Sequence, residues 1–423
     1  MKYVKLFEQW LADQSQPFLF EGGAAGHMMH PFDDSELTFG DFKQMINSGL
    51  MGELNFEEAP TEKTDGQNLF VTIKDGKVLF SRNKGELKVP MTLQEFKQKF
   101  QDHPSEMVRD TFQFAAEDLA NQLVKLPASD QIKFFNDGKD FMNMELIYSL
   151  NPNVINYDTD VIQFHGIKKT DGQGNVIGED SKPAKEVATI LQKVNADIGK
   201  TFKIIPPKEI QIQKDLDFST NRDKFIKKVE DLKNRYKLSD GDEVSRYHEM
   251  WWRELIDKEF PNISQDHKEG LLQRWAYDDK KTLNMRSLDK ELTPQEAEKI
   301  KKFDKEDVKK KYKENIRPFE DLFLELGSTI LKNASNFLAA NPTEEAKRLR
   351  SQIESEANKI RLGGGEDQIK KVEAELDRLN RIGGLESIYP TEGIVFKYKG
   401  KTYKLTGTFA ALNQLLGIIK YGR

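Results

Sequence analysis

The hydrophobic positions change their period three times along this chain. Up to residue 58 the pattern is mixed. Leu6 to Ala12 reads as a short helix and EGGAAGHMMHPFDD as a glycine-rich loop, and a second helix begins near Thr38 with Phe39, Phe42 and Ile46 on one face. From residue 59 to 180 the period becomes two. The runs LFVTI (69–73) and VLF (78–80) flank Asp75-Gly76, residues that tolerate the positive φ of a two-residue turn, so the segment predicts a β-hairpin. Segments 141–148 and 161–167 predict two further strands, the second followed by a turn at Asp171-Gly172. Residues 93–126 between them are helix-periodic, with Phe96, Phe100, Met107, Phe112 and Leu119 as expected core.

From 181 to 382 the chain turns charged and helix-periodic, with breaks at Ile204-Ile-Pro-Pro207, Leu238-Ser-Asp-Gly241 and Leu292-Thr-Pro294. Its last part, 343–382, carries Gly363-Gly-Gly365 between two amphipathic runs, the pattern of a helical hairpin. Strand character returns at 392–396, turns at Lys399-Gly400-Lys401 and runs back over 402–405, before an apolar segment at 409–419. The expected class is α+β: a core of residues 59–180 and 383–423 built on antiparallel strands, a helical insertion over 181–382, and a helix-and-loop leader over 1–58.

Composition narrows the chemistry more than the fold. None of the 423 residues is cysteine, which excludes disulfides, thiolate zinc sites and cysteine nucleophiles and leaves lysine, serine, histidine and carboxylates as actors. No run approaches a membrane span and the N-terminus lacks a secretory h-region, so a cytoplasmic protein is expected. The net charge of -5 means that a nucleic acid would need a local basic groove. His27 and His30 in GHMMH are three residues apart, but no third ligand has zinc-site spacing.

The centre of the chemical reading is Glu62-Lys63-Thr64-Asp65-Gly66. A lysine nucleophile needs an amine partly relieved of its proton, which burial and neighbouring charge can arrange, although K-x-D-G alone is also what a surface turn yields. Five later segments give it weight: Ser81-Arg82-Asn83-Lys84-Gly85, the acid-bearing strand Met142 to Tyr148 with Glu145, the aromatic strand Val161 to Gly166 with Phe164, Glu392-Gly393-Ile394-Val395-Phe396-Lys397, and Tyr403-Lys404-Leu405-Thr406. In this order the segments resemble the ATP-dependent DNA and RNA ligase (covalent nucleotidyltransferase) superfamily. Glu62 directly before the lysine is closest to the nick-sealing RNA ligases.

The resemblance implies an ATP-grasp-like antiparallel-sheet ligase core. It further implies a protein that joins 5′-phosphate and 3′-hydroxyl ends of RNA or DNA through lysyl-AMP, working as a monomer on nicked or broken nucleic acid without a membrane, as compact viral ligases do. Lys63 is then the nucleophile. Glu145 and Glu392 hold Mg²⁺ or Mn²⁺ against ATP, Lys397 and Lys404 neutralise phosphate, Glu62, Gly66 and Arg82 contact the nucleotide or nucleic-acid end, and Phe164 stacks on adenine.

Three features depart from the family. An extra residue precedes Gly85, Thr406 stands where a second lysine is usual, with Lys401 as a conceivable substitute, and the 17 residues after Thr406 leave no room for the usual oligonucleotide-binding barrel. The insertion is expected to take over that work through Lys280, Lys281 and Arg286, or to be a solvated or protein-docking arm; Trp251, Trp252 and Trp275 beside Arg253 and Arg274 suit either base stacking or a core. Two other functions compete with a ligase: a nucleotide-binding module without sealing activity, and an adenylyltransferase acting on a protein or small molecule.

Overall fold

The computed structural model describes residues 28–421, apart from 172, 278–282, 284, 286–287, 340 and 364. The expected helix at Leu6 to Ala12, His27, and the basic residues Lys280, Lys281 and Arg286 lie outside the described residues. The fold is mixed α+β with mainly antiparallel sheets. By its internal contacts the chain forms two compact units: one of residues up to Phe56, Gln213–Asn333 and Lys397–Leu405, the other of Glu57–Ile212, Ala334–Phe396 and Thr406 onward.

The second of these units carries the sheets. Strands β1 (Thr61–Lys63), β2 (Gln67–Lys74), β3 (Lys77–Ser81), β4 (Asp140–Ile147), β5 (Val161–Thr170), β6 (Val176–Asp180) and β7 (Lys203–Ile205) succeed one another in the chain, with short β8 (Gln211–Ile212) and β9 (Ala334–Ser335) pairing separately. The main sheet runs β3-β2-β4-β5-β6, and β7 joins β5 in parallel. The β2–β3 hairpin turns as its sequence predicts: Asp75 and Gly76 both have positive φ, 50° and 71°. One face of the sheet is wholly apolar. Leu69, Val71, Met142, Met144, Leu146, Ile162 and Phe164 pack there against Phe96 and Phe100 of the helix Leu93–Gln101 and Phe112 and Leu119 of the helix Glu106–Leu123. These are two helices where one was expected, because Pro104 interrupts the run; Ser105 then caps the second helix and resets its phase, leaving Met107 54% exposed.

In this unit β1 pairs antiparallel with β10 (Gly393–Tyr398), over residues 393–395. The Gly363-Gly-Gly365 break does separate two helices, Pro342–Gly363 and Glu366–Arg381.

The other unit is helical around an aromatic core. Phe39 and Phe42, on the helix Phe39–Met51, meet Phe319 and Phe323 of the helix Val308–Lys332. The Thr38 hydroxyl and the Asp41 carboxylate close that first helix with a capping box. After β10 the chain turns at Lys399 and Gly400, both at positive φ, into β11 (Lys401–Leu405), where Met29 pairs with Tyr403. The expected boundaries therefore shift. Residues 181–212 and 334–382 of the anticipated insertion group with the sheets, while 213–333 group with the described part of the leader. Apolar surface explains it, since the Phe39 helix buries its face on the Val308 helix and leaves neither an independent element.

Trp252 and Trp275 are 1% and 2% exposed in a second core with Phe260 and Phe303, while Arg253 pairs with Glu249 and Glu269, and Arg274 with Asp304. Of the two readings of these residues, the core is the one found. Among the described residues no helix is long and apolar enough to cross a membrane.

Candidate functional site

The β1–β10 register sets Lys63 opposite Gly393 and Glu62 opposite Ile394. Glu392, one residue before Gly393, then meets Lys63, and the two side chains form an ion pair at 25% and 20% exposure. Gly393 has φ 148°, a backbone conformation other residues adopt only under strain, and the Thr391 hydroxyl accepts its amide at 3.2 Å. This turn delivers a carboxylate to an amine 329 residues away in sequence.

Past Lys63 the chain must bend from β1 into β2, and Asp65 fixes the bend. Its carboxylate is 4% exposed and accepts hydrogen bonds from Asn153 Nδ2 (2.7 Å), Val154 N (2.6 Å) and Ile155 N (2.8 Å). Its own amide donates to Tyr157 Oη at 3.0 Å. Burial raises the Asp65 carboxyl, while those donors and Lys63 pull it back. Gly66 permits the approach to β4: a Cβ there would lie 2.5 Å from the Leu146 carbonyl oxygen and 2.7 Å from Glu145 Cγ.

On the sheet face away from the apolar core, Asn68, Glu145 and Gln163 are directly paired on adjacent strands and form one polar row. Arg82 Nη1 donates to the Asn68 carbonyl at 2.6 Å, and its guanidinium lies 4.8 Å from the centre of the Phe112 ring, in the field of Glu145. At the register shift in β5, His165 Nε2 comes to 3.5 Å from Glu145 Oε2. Burial and then the charges of Glu62, Asp65 and Glu145 push the Tyr157 hydroxyl well above its usual range. Among the described residues, both polar atoms of the Gln163 carboxamide are buried without a partner, as is the Thr64 hydroxyl. Such groups fit a polar ligand.

The expected site residues divide accordingly. Within one unit Lys63 pairs with Glu392, Gly66 abuts Glu145, and Arg82 lies in the field of Glu145. Phe164 does not serve as expected: its ring is fully buried in the helix-facing core, because strand alternation puts it opposite to Gln163, so it offers no surface to adenine. Glu62 alternates away from Lys63. It is 1% exposed, accepts only the Leu338 amide (2.8 Å) among the described residues, and burial pushes its carboxyl up to about 8. Lys397 and Lys404 belong to the other unit. There burial lowers the Lys404 amine against the opposing pull of Asp33, and Lys401 is held by Asp34 (2.8 Å) and Glu36 (2.6 Å), so Lys401 is already committed. His30 stacks on Phe32, and among the described residues no three His, Asp or Glu side chains converge as a metal-ligand set.

Asp65, Tyr157, Gln163 and His165 are the residues that motif reading passed over. Asp65 stands inside the K-x-D-G run and Gln163 and His165 inside the aromatic strand motif, so these three had a local signal; Tyr157 had none. Compared with known protein families and with curated proteins, the chain matches neither.

Proposed function

We propose that this chain is an ATP-dependent polynucleotide ligase in which Lys63 is adenylylated. One observation carries the reading: Lys63 and Glu392, 329 residues apart in the sequence, form an ion pair three residues before Gly66, whose backbone abuts the acid-bearing strand at Glu145. The unpartnered Gln163 amide and Thr64 hydroxyl add support, since a polar guest would relieve both.

The chemistry rests on these residues. Glu392 is in hydrogen-bond contact with Lys63 and takes a proton from Nζ. The freed lone pair forms the N–P bond at the α-phosphorus of ATP as the α–β bridging P–O bond breaks and pyrophosphate departs. Glu145 and Glu392 are the hard oxygen ligands that would hold Mg²⁺ or Mn²⁺, and the ion would neutralise charge on the triphosphate. Arg82 offers a planar fork of donors to a phosphate or ribose. The AMP then passes from Lys63 to a 5′-phosphate, and a 3′-hydroxyl displaces it to seal the strand.

Incubation with α-labelled ATP and Mg²⁺, followed by denaturation, tests the reading. Label should remain on the wild-type chain, vanish in Lys63→Ala, and chase onto nicked RNA, nicked DNA or hybrid duplexes. An unlabelled chain, or label that persists in Lys63→Ala, removes the lysyl-AMP mechanism.

A further inference from the structure

The segment Asn153 to Asn156 is gripped from two sides. On the inside, Asp65 accepts the Asn153 side chain and the amides of Val154 and Ile155. On the outside stands the first turn of the helix Pro342–Gly363, which Asn341 caps by accepting the Glu344 amide at 3.2 Å. From the next turn Arg348 Nη2 donates to the Val154 carbonyl at 3.0 Å, and in the first turn Glu345 accepts the Asn156 amide at 3.2 Å. Arg348 and Glu345 also bond to each other, Nε to Oε2 at 2.8 Å, with the Glu345 side chain only 10% exposed. Val154 is thus held through its N–H by Asp65 and through its C=O by Arg348, so a single residue joins the helix to the Lys63 bend.

We propose that Arg348, braced by Glu345, is a positioning residue for the nucleophile, acting through Val154 and Asp65 on Lys63. The inference rests on the ligase reading for its consequence, though not for its geometry. Asp65 cannot hold its place by itself. A carboxylate buried to this degree is stable only while its donors stay aimed at it, and two of its donors are main-chain amides of a loop with no strand or helix of its own. Arg348 removes that freedom by fixing the carbonyl of the same residue whose amide Asp65 receives. The guanidinium is suited to this because its fork reaches the Glu345 carboxylate and the Val154 carbonyl at once, and a point-charge ammonium cannot. In-line attack on phosphorus is sensitive to small displacements of the amine, so loosening the grip lowers the rate without removing any group that binds ATP. The adjoining cavity of about 370 Å³ is lined by Asp158, Glu344 and Glu345 against Arg348. Its acidity makes it a poor seat for phosphate.

Arg348→Met and Arg348→Lys test it in the full chain with three readouts: the single-turnover rate of label incorporation across ATP concentrations, the acetylation rate of Lys63 by acetic anhydride, and hydrogen exchange at the Val154 and Ile155 amides. In Arg348→Met the incorporation rate should fall about tenfold with half-saturating ATP within about twofold, while both amides exchange faster and Lys63 acetylation changes. Arg348→Lys should recover only part of the rate. Faster amide exchange with an unchanged incorporation rate and unchanged acetylation overturns the relay, as does a rise in half-saturating ATP with the rate intact. A wild-type chain that takes no label but whose Lys63 acetylation still responds to Arg348→Met would sink the ligase reading and leave the relay standing.

Discussion

Glu62 holds an acid in a place that favours its neutral form. With one donor, Leu338 N, and a second oxygen lacking any partner among the described residues, its carboxyl is raised to about 8 from 4.5. The folded chain therefore keeps a proton that the unfolded chain releases above about pH 4.5. This contribution to stability is fully present below that pH and is lost as pH rises toward about 8, amounting to about 3 kcal/mol by pH 7. Glu62→Gln keeps the acceptor for Leu338 and has no proton to lose. The variant should match the wild type near pH 4.5 and exceed it by about 3 kcal/mol at pH 7 in urea unfolding. A difference between the two that does not vary with pH would show that Glu62 titrates normally. At this scale the sequence was legible where conformation is local, as in the Asp75-Gly76 turn, and illegible for Phe164, whose side of the strand depends on pairing with Met144.

Among the elements, hairpins and capped helices kept closely to their sequences. Asp75-Gly76 and Lys399-Gly400 adopt the positive φ that two-residue turns need, and Thr293-Pro-Gln-Glu296 opens its helix with a capping box. Elements that exist only through long-range pairing escaped reading. β7 contains part of Ile204-Ile-Pro-Pro207, which reads locally as a break, and becomes a strand by lying parallel to β5. Asp118, on the helix Glu106–Leu123, secures it by accepting the amides of Lys200 (2.8 Å), Thr201 (2.8 Å) and Phe202 (2.7 Å) while 3% exposed. Asp118→Ala strips three donors of their acceptor at once, and the buried Phe202 amide cannot turn to water. A loss of about 3 kcal/mol is expected in urea unfolding, with hydrogen exchange at Ile204 rising before that of β2. If stability fell by less than about 0.5 kcal/mol, the anchor would be idle.

For the molecule as a whole, the two units should answer pH differently. In the helical unit His248 Nδ1 contacts Asn315 Oδ1 at 3.2 Å, with Tyr247 and Phe319 rings alongside, and burial pushes its pKa down to about 4 from 6.5. Here the unfolded chain binds the proton first. Stability from a neutral His248 is intact above about pH 6.5 and declines as pH falls toward about 4, by at most about 3 kcal/mol. Glu62 works in the opposite sense in the sheet-bearing unit. Hydrogen exchange at pH 5 against pH 8 should therefore show protection falling with acid in the helix Val244–Glu259, and His248→Gln should flatten that dependence. Equal pH responses in His248→Gln and the wild type would assign the effect to other groups.

The sequence alone determined whatever depends on near neighbours: the turn dipeptides, the caps, the strand periods and the short motifs around Lys63, Arg82, Glu145 and Glu392. Tertiary structure decided the rest because distance along a chain is not distance in space. The β1–β10 register brings Glu392 to Lys63, strand pairing turns Phe164 to the helix-facing core and Gln163 to the opposite face of the sheet, and the Pro342 helix reaches back to Val154. Each of these depends on a partner hundreds of residues away or on which face of a sheet is buried, and local propensity encodes neither.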